Sequence, residues 1–254
     1  MTKRQLQDLA RLARRSERAA QGRFLVEGVR SVEAAVLAGA PLDVVVASHD
    51  AASTRRVDAV LHRAADAGAA IEVVPGRDLE RIGDARTSQG VLAVARRVVR
   101  SELARDAGRV LLLDGVQDPG NVGTLVRTAA WFGLSAVVAD ARSADFEAPK
   151  TVRASMGGLW DVALVRVDTL GPVLAALAGR EVWGADLGGT PLASWAPPPG
   201  AALVLGSEAH GLSPETTASL TGRVTIPGGG DGVESLNVTI AGGILMATWA
   251  GRAA

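Results

Sequence analysis

The chain contains no cysteine and only three histidines, His49, His62 and His210, well separated in sequence. Without thiols there is no disulfide, no cysteine nucleophile and no thiolate metal ligand, and scattered imidazoles form no ligand cluster, so no metal is expected. No apolar run approaches the roughly 20 residues that a membrane-spanning helix requires, so no membrane partner is expected either. The opening stretch "MTKRQLQDLARLARRSERAAQGR" has no apolar core between its charges, which argues against a secretory signal and for a cytoplasmic protein. Neither G-x-G-x-x-G ahead of a helix nor G-x-x-x-x-G-K-[ST] occurs, which disfavours a nucleotide-binding oxidoreductase and nucleoside-triphosphate chemistry. There is no internal repeat, and "WAPPPG" reads as a rigid loop.

Formal net charge is also absent, but its distribution is uneven. Residues 1–30 hold eight basic side chains, Lys3, Arg4, Arg11, Arg14, Arg15, Arg18, Arg23 and Arg30, against three acidic ones, a local excess of five. A second basic stretch comprises Arg96, Arg97, Arg100, Arg105 and Arg109. Arginine suits bidentate phosphate contact better than lysine does, so the uneven charge points to nucleic acid as a partner. A GC-rich coding sequence yields the same bias, and a solvated helix face is the alternative reading of each run.

With 254 residues, 48% hydrophobic and 21% charged, the chain has the composition of a globular protein and the length for two domains with their own cores. Residues 1–20 form a basic arm, with Leu6, Leu9, Leu12 and Ala13 at the spacing of one amphipathic helix. Short apolar strands alternate with helices over 21–98, a small α/β domain, and again over 109–254 after a charged linker at 99–108. In the second domain the strands are apolar throughout, which predicts a parallel sheet covered on both faces.

Ligands of such sheets sit at the carboxyl ends of the strands, and three loops there are unusual. In "DGVQDPGNVGTLVRTAAWFG" a Pro119-Gly120 turn sets Asn121 at the expected N-cap of a helix over 122–132, with Arg127 amid apolar neighbours. A cap is the structural alternative for Asn121, an exposed arginine that for Arg127. In "ALVLGSEAHGLSPE", Gly206 permits close approach to the backbone and Glu208 follows at once, while Ser213-Pro214 starts a helix. His210 is the only histidine near these loops. In "GGGDGVESLNVTIAGGILM", local rules make Ser235 the N-cap of the last helix and Asn237 an exposed first-turn residue.

Taken in order, "DPGNVGTLVRTAAWFG", "LVLGSEAHGLSPE" and "IPGGGDGVESLNVTIAGGILM" resemble the three signature motifs of the SpoU (TrmH-type) RNA 2′-O-methyltransferases of the SPOUT superfamily. The region from "FLVEG" to "QGVLAV" is similar to the ribosomal-protein-like α/β domain that many members use to bind RNA. The resemblance implies a parallel-sheet SPOUT domain with a deep trefoil knot, a homodimer, and S-adenosylmethionine as cofactor. It implies methyl transfer to a ribose 2′-hydroxyl of structured RNA, with ribosomal RNA, including 23S, ahead of transfer RNA, and leaves open a link to antibiotic resistance. A non-catalytic RNA-binding protein on the same fold is the other alternative.

By the same resemblance, loop backbone at Leu205, Gly206, Ile226, Pro227, Ser235 and Leu236 holds the cofactor, and Asn121, Arg127, Glu208, Ser235 and Asn237 form the reactive set. Family accounts often make Arg127 the base. A guanidinium is in effect always protonated, so Arg127 is better suited to orienting the hydroxyl or an adjacent phosphate and stabilising the developing alkoxide. Glu208 and Asn121 then position the arginine and the loops, while Ser235 and Asn237 shape the pocket.

Overall fold

The computed structural model describes residues 1–83, 88–229, 232 and 234–251, so Gly230, the third glycine of the triplet, lies outside it. The first part of the chain runs α1 (Lys3–Ala10), α2 (Arg15–Gln21), β1 (Arg23–Glu27), α3 (Val29–Leu37), β2 (Leu42–Ser48), α4 (His49–Ala52), α5 (Arg55–Asp66), β3 (Ala70–Val74), α6 (Gly76–Leu79) and β4 (Val91–Arg96). It continues through β5 (Val110–Asp114), α7 (Pro119–Trp131), β6 (Ala136–Ala139), α8 (Pro149–Ser155), β7 (Ala163–Arg166), α9 (Gly171–Ala176), β8 (Val182–Pro191), β9 (Ala202–Gly206), α10 (Pro214–Ala218), β10 (Gly222–Thr225) and α11 (Val238–Gly251). Two compact units result: Met1–Val98 with Asp145–Asp161, and Val99–Ala144 with Val162–Ala254. Residues 145–161, read from sequence as part of the second domain, therefore cluster with the first unit, and the expected linker 99–108 with the second.

In the first unit a four-stranded sheet has the order β1-β4-β2-β3, with β4 antiparallel to β1 and β2, and β3 parallel to β2. Leu9 and Leu12 of the arm join Leu25, Val46, Leu92 and Val94 in one buried cluster, so the arm is part of this unit's core. Segment 145–161 contributes an Arg153 to Glu27 bond of 3.0 Å and stacks Trp160 on Phe24 with ring centroids 5.9 Å apart.

The arm is not the single helix that its periodicity predicts. A short 3-10 turn at Arg11–Ala13 follows α1, and Arg14 is extended (φ −87°, ψ 134°) before α2 begins. Arg18 explains the break: its guanidinium is buried, donates to the carbonyls of Leu12 (3.0 Å) and Ala13 (2.7 Å), and pairs with Asp145 at 2.7 Å. These carbonyls, left without helical partners by the break and covered by the arm's packing, would otherwise be orphaned. Arg18 is thus withdrawn from the RNA-contact candidates. Arg4, Arg11, Arg14, Arg15 and Arg30 are exposed and Arg23 half-buried. Of these, Arg11 pairs with Glu17 at 2.7 Å and Arg23 lies 3.8 Å from Asp43.

The second unit is a six-stranded sheet in the order β10-β8-β9-β5-β6-β7, every pair parallel. Alternate residues of each strand face opposite sides. Leu112, Val138 and Val204 meet Leu170, Val173 and Leu174 around α9, while Leu205 faces α7 and α11 on the other side. The contact with α11 is close: a Cβ on Gly242 would lie 2.6 Å from a Leu125 methyl and 2.8 Å from one of Leu205. The expected parallel sheet covered on both faces is therefore what forms. From β5 the chain adds β6 and β7 on one side, then crosses to lay β8 and β9 on the other, so its direction of growth reverses between β5 and β9. Ligands of open parallel sheets bind where this reversal occurs. Among the described residues no helix is long and apolar enough to cross a membrane, and no group of three or more His, Cys, Asp or Glu could hold a metal ion.

Candidate active site

The loop after β9 starts at the reversal point, where Asp114 of β5 is in register with Gly206. Ser207 and Gly211 exchange backbone hydrogen bonds of 3.0 and 2.8 Å, which closes a tight turn that presents Glu208, Ala209 and His210. The turn folds directly onto Gly206: a Cβ there would sit 2.4 Å from the Gly211 carbonyl carbon and 2.6 Å from the Leu212 nitrogen. Only glycine fits a backbone crossing that close. Ser213 then caps α10, accepting from the Thr216 amide at 3.3 Å, with Pro214 at the first helical position as expected.

Below this loop lies a buried polar network. Asp114 Oδ2 accepts the Ser213 N–H at 2.7 Å, while Oδ1 bonds to Arg142. Arg142 Nε also donates to Asp140 at 2.6 Å, and Asp140 Oδ1 accepts from the Gly115 amide (3.0 Å) and from Ser143. Both carboxylates are 1% exposed, so burial without Arg142 would leave uncompensated charge. The hydrogen bond to Asp140, together with the two carboxylate charges, holds the Arg142 guanidinium above the usual arginine range.

At the start of α7 the expected cap is displaced. Asp118, not Asn121, is the N-cap, accepting the Asn121 amide at 2.9 Å, and Pro119 occupies the first helical position. Proline there favours a cap one residue earlier, since its fixed φ already belongs to the helix. The Asn121 carboxamide is thereby released, and it donates to Glu208 Oε1. The cap at α11 moves in the opposite direction. Helix α11 begins at Val238; Asn237 immediately precedes it and accepts the Thr239 amide at 2.9 Å and the Thr239 hydroxyl at 2.5 Å. Ser235 is therefore not the cap. It lies with Leu236 in non-helical, exposed chain before the helix.

The loop after β9, the end of β10 with the chain after it, and the chain leading into α11 line a cavity of about 560 Å³. Leu205, Gly206, Glu208, Ile226, Ser235 and Leu236 line it, as does His210, whereas Pro227, Asn121, Asn237 and Arg127 do not. Asn121 reaches the cavity through its bond to Glu208. Arg127 is exposed and makes no hydrogen bond or ion pair among the described residues. One turn further along α7, Trp131 is 83% exposed. A fourth wall was missed from sequence: Ala185, Asp186 and Leu187 of β8, at a register shift where β8 bows away from β10. Strand β8 continues past this stretch to Pro191.

Comparison with known proteins points the same way. The family model described as SpoU rRNA Methylase family matches residues 108–247, and the MRM3-like substrate binding domain matches residues 3–93. The 23S rRNA (guanosine(2553)-2′-O)-methyltransferase RlmP of Bacillus subtilis is 29% identical over 95% of this chain and 94% of its own. The 23S rRNA (guanosine-2′-O-)-methyltransferase RlmB of Xanthomonas campestris is 36% identical over 75% of this chain and 81% of its own. Among solved structures, an AdoMet-bound rRNA methyltransferase from Sinorhizobium meliloti superposes with a TM-score of 0.86 at 25% identity, covering 99% of this chain and 95% of that one.

Proposed function

Because the chain belongs to the SpoU rRNA methylase family, we infer that it transfers a methyl group from S-adenosylmethionine to a ribose 2′-hydroxyl of ribosomal RNA. One observation carries this reading: residues from the second and third sequence motifs line one cavity, and the first motif is joined to it by the bond between Asn121 and Glu208. The relatives named for 23S rRNA favour ribosomal over transfer RNA.

The cavity fits the cofactor. Its volume falls within the roughly 300–1,000 Å³ of small-molecule sites. Leu205, Ile226 and Leu236 offer apolar walls for a purine, and the bare backbone at Gly206 lets a ligand approach N–H and C=O groups. Pro227, beside Ile226, belongs to the same loop backbone. When bound, S-adenosylmethionine supplies an electrophilic methyl sulfonium. Arg127 would orient the ribose hydroxyl or its phosphate and stabilise the alkoxide that develops as the hydroxyl proton passes to water, the methyl moving to that oxygen and S-adenosylhomocysteine leaving as a neutral thioether. Glu208 and Asn121 brace the two loops against each other, Ser235 contributes backbone and hydroxyl to the cavity, and Asn237 fixes where α11 starts. Holding the hydroxyl in line with the methyl carbon contributes on the order of 7–11 kcal/mol at the upper end.

The reading includes a homodimer. Arg127 and Trp131 face outward and Arg127 does not line its own chain's cavity, which supports an arginine serving the partner's site. It includes the C-terminal knot that the family resemblance implies. It also assigns RNA recognition to the first unit, the 1–20 arm included, and methyl transfer to the second, in the cytoplasm. Incubating the purified chain with radiolabelled S-adenosylmethionine and ribosomal RNA from a strain lacking its gene should label a ribose hydroxyl. Labelling of transfer RNA alone overturns the substrate; cofactor binding with no labelling of any RNA favours the binding-protein alternative.

A further inference from the structure

The network beneath the cavity has a geometry that core filling does not require. Asp114 ends a strand buried along its whole length, yet it is a carboxylate, 1% exposed, whose two oxygens serve different masters. Oδ2 holds the Ser213 amide at 2.7 Å, 99 residues away in sequence, and Oδ1 holds Arg142. Ser213 is where the turn carrying Glu208 and His210 ends. At the turn's other end, a Cβ placed on Gly115 would lie 3.8 Å from both the Arg142 guanidinium carbon and Ser207 Cβ, so Arg142 and the turn's entry flank the same glycine. Arg142 forks between Asp114 and Asp140, and Asp140 in turn fixes the Gly115 amide that follows β5. One planar cation thus ties the ends of β5 and β6 to the loop after β9. A guanidinium is suited to this because its donors are fixed in a fork.

We propose that Asp114 and Arg142 are positioning residues for cofactor binding, holding the 207–213 turn in the shape that presents Gly206 and Glu208 to the cavity. The proposal rests on the reading of that cavity as the S-adenosylmethionine site. Neither side chain lines the cavity, so both act through the loop.

The test uses the full chain and its Asp114→Asn and Arg142→Met variants. An asparagine cannot both accept from Ser213 and accept from Arg142 with charge; a methionine preserves the stem and removes the fork. Titration with S-adenosylhomocysteine should show affinity falling roughly 10-fold or more in each variant, as expected for loss of a charge-assisted hydrogen bond. The KM for S-adenosylmethionine should rise in parallel while the KM for RNA stays within about twofold, and exchange of the Ser213 amide with deuterium should accelerate. An Arg142→Lys variant, which keeps a cation beside the two buried carboxylates but cannot fork between them, keeps the test usable if either of the others fails to fold, and the same outcomes apply to it. Cofactor affinity within about twofold of the parent in Arg142→Met, or an equal rise in both KM values, overturns the proposal. A parent chain that binds no S-adenosylhomocysteine overturns the functional reading instead.

Discussion

The carboxamide of Asn121, in the first turn of α7, donates to the carboxylate of Glu208 across 87 residues of sequence. This bond joins the loop after β5 to the loop after β9 at the point where the sheet reverses its order. If it acts as a unit, Asn121→Ala and Glu208→Ala should be non-additive. A double-mutant cycle on kcat/KM for methyl transfer should return a coupling of about 1 kcal/mol. Strict additivity would show that the two residues act separately.

Gly206→Ala should abolish cofactor binding and destabilise the fold. The added Cβ meets backbone of Gly211 and Leu212, which has no rotamer to escape through. Overpacking of this kind costs about 1–3 kcal/mol. For a chain of this size that corresponds to a fall in Tm of roughly 2–4 °C per kcal/mol. Calorimetric titration and a melting scan on the same sample check both effects; unchanged cofactor affinity contradicts the close crossing.

Arg18 and its neighbours in the arm should separate stability from RNA binding. Arg18→Ala removes one partner of a buried pair with Asp145 and should cost about 3–5 kcal/mol in urea unfolding. Arg14→Ala and Arg15→Ala remove exposed cations without a hydrogen bond or ion pair among the described residues, so stability should hold within about 0.5 kcal/mol. Their RNA affinity should weaken, with the slope of log K against log salt falling by about 0.7–0.9 per lost phosphate contact. An unchanged slope in both variants removes them from the RNA interface.

Mixing two inactive variants should restore activity if Arg127 serves the partner's site. Arg127→Ala and Ser235→Ala subunits recombine into heterodimers that each hold one complete site. Random exchange then gives about one quarter of the parental rate. A mixture no more active than its parents places Arg127 and Ser235 of the same chain in one site. In the same dimer, Trp131→Glu should halve the mass measured by light scattering, because it puts a charge where a large exposed aromatic now sits.

Local rules made the strands and most helices legible, because apolar periodicity and the Ser213-Pro214 start signal are decided within a few residues. The cap positions were less so. Asp118 displaced Asn121 because the proline at position 119 sets the first helical φ, and Asn237 displaced Ser235 because Thr239 gives its carboxamide two donors. Both shifts matter for the site, since they free Asn121 for Glu208 and leave Ser235 on open chain. The break in the arm and the Asp114 network were beyond sequence reading for a different reason. Arg18 finds Asp145 at a separation of 127 residues and Asp114 finds Ser213 at 99, distances at which no spacing rule operates.

The buried Arg18 also changes what the arm is. A basic N-terminal segment with no anchor would be a flexible tail, and ordering it on a nucleic acid would consume part of each contact it makes. Here the chain around Arg14 and Arg15 is fixed at folding, by a guanidinium that closes the carbonyls of Leu12 and Ala13 and reaches Asp145. If these exposed arginines meet RNA as proposed, they do so from a preformed backbone, whose spacing is a property of the fold and whose main-chain entropy is lost before the RNA arrives.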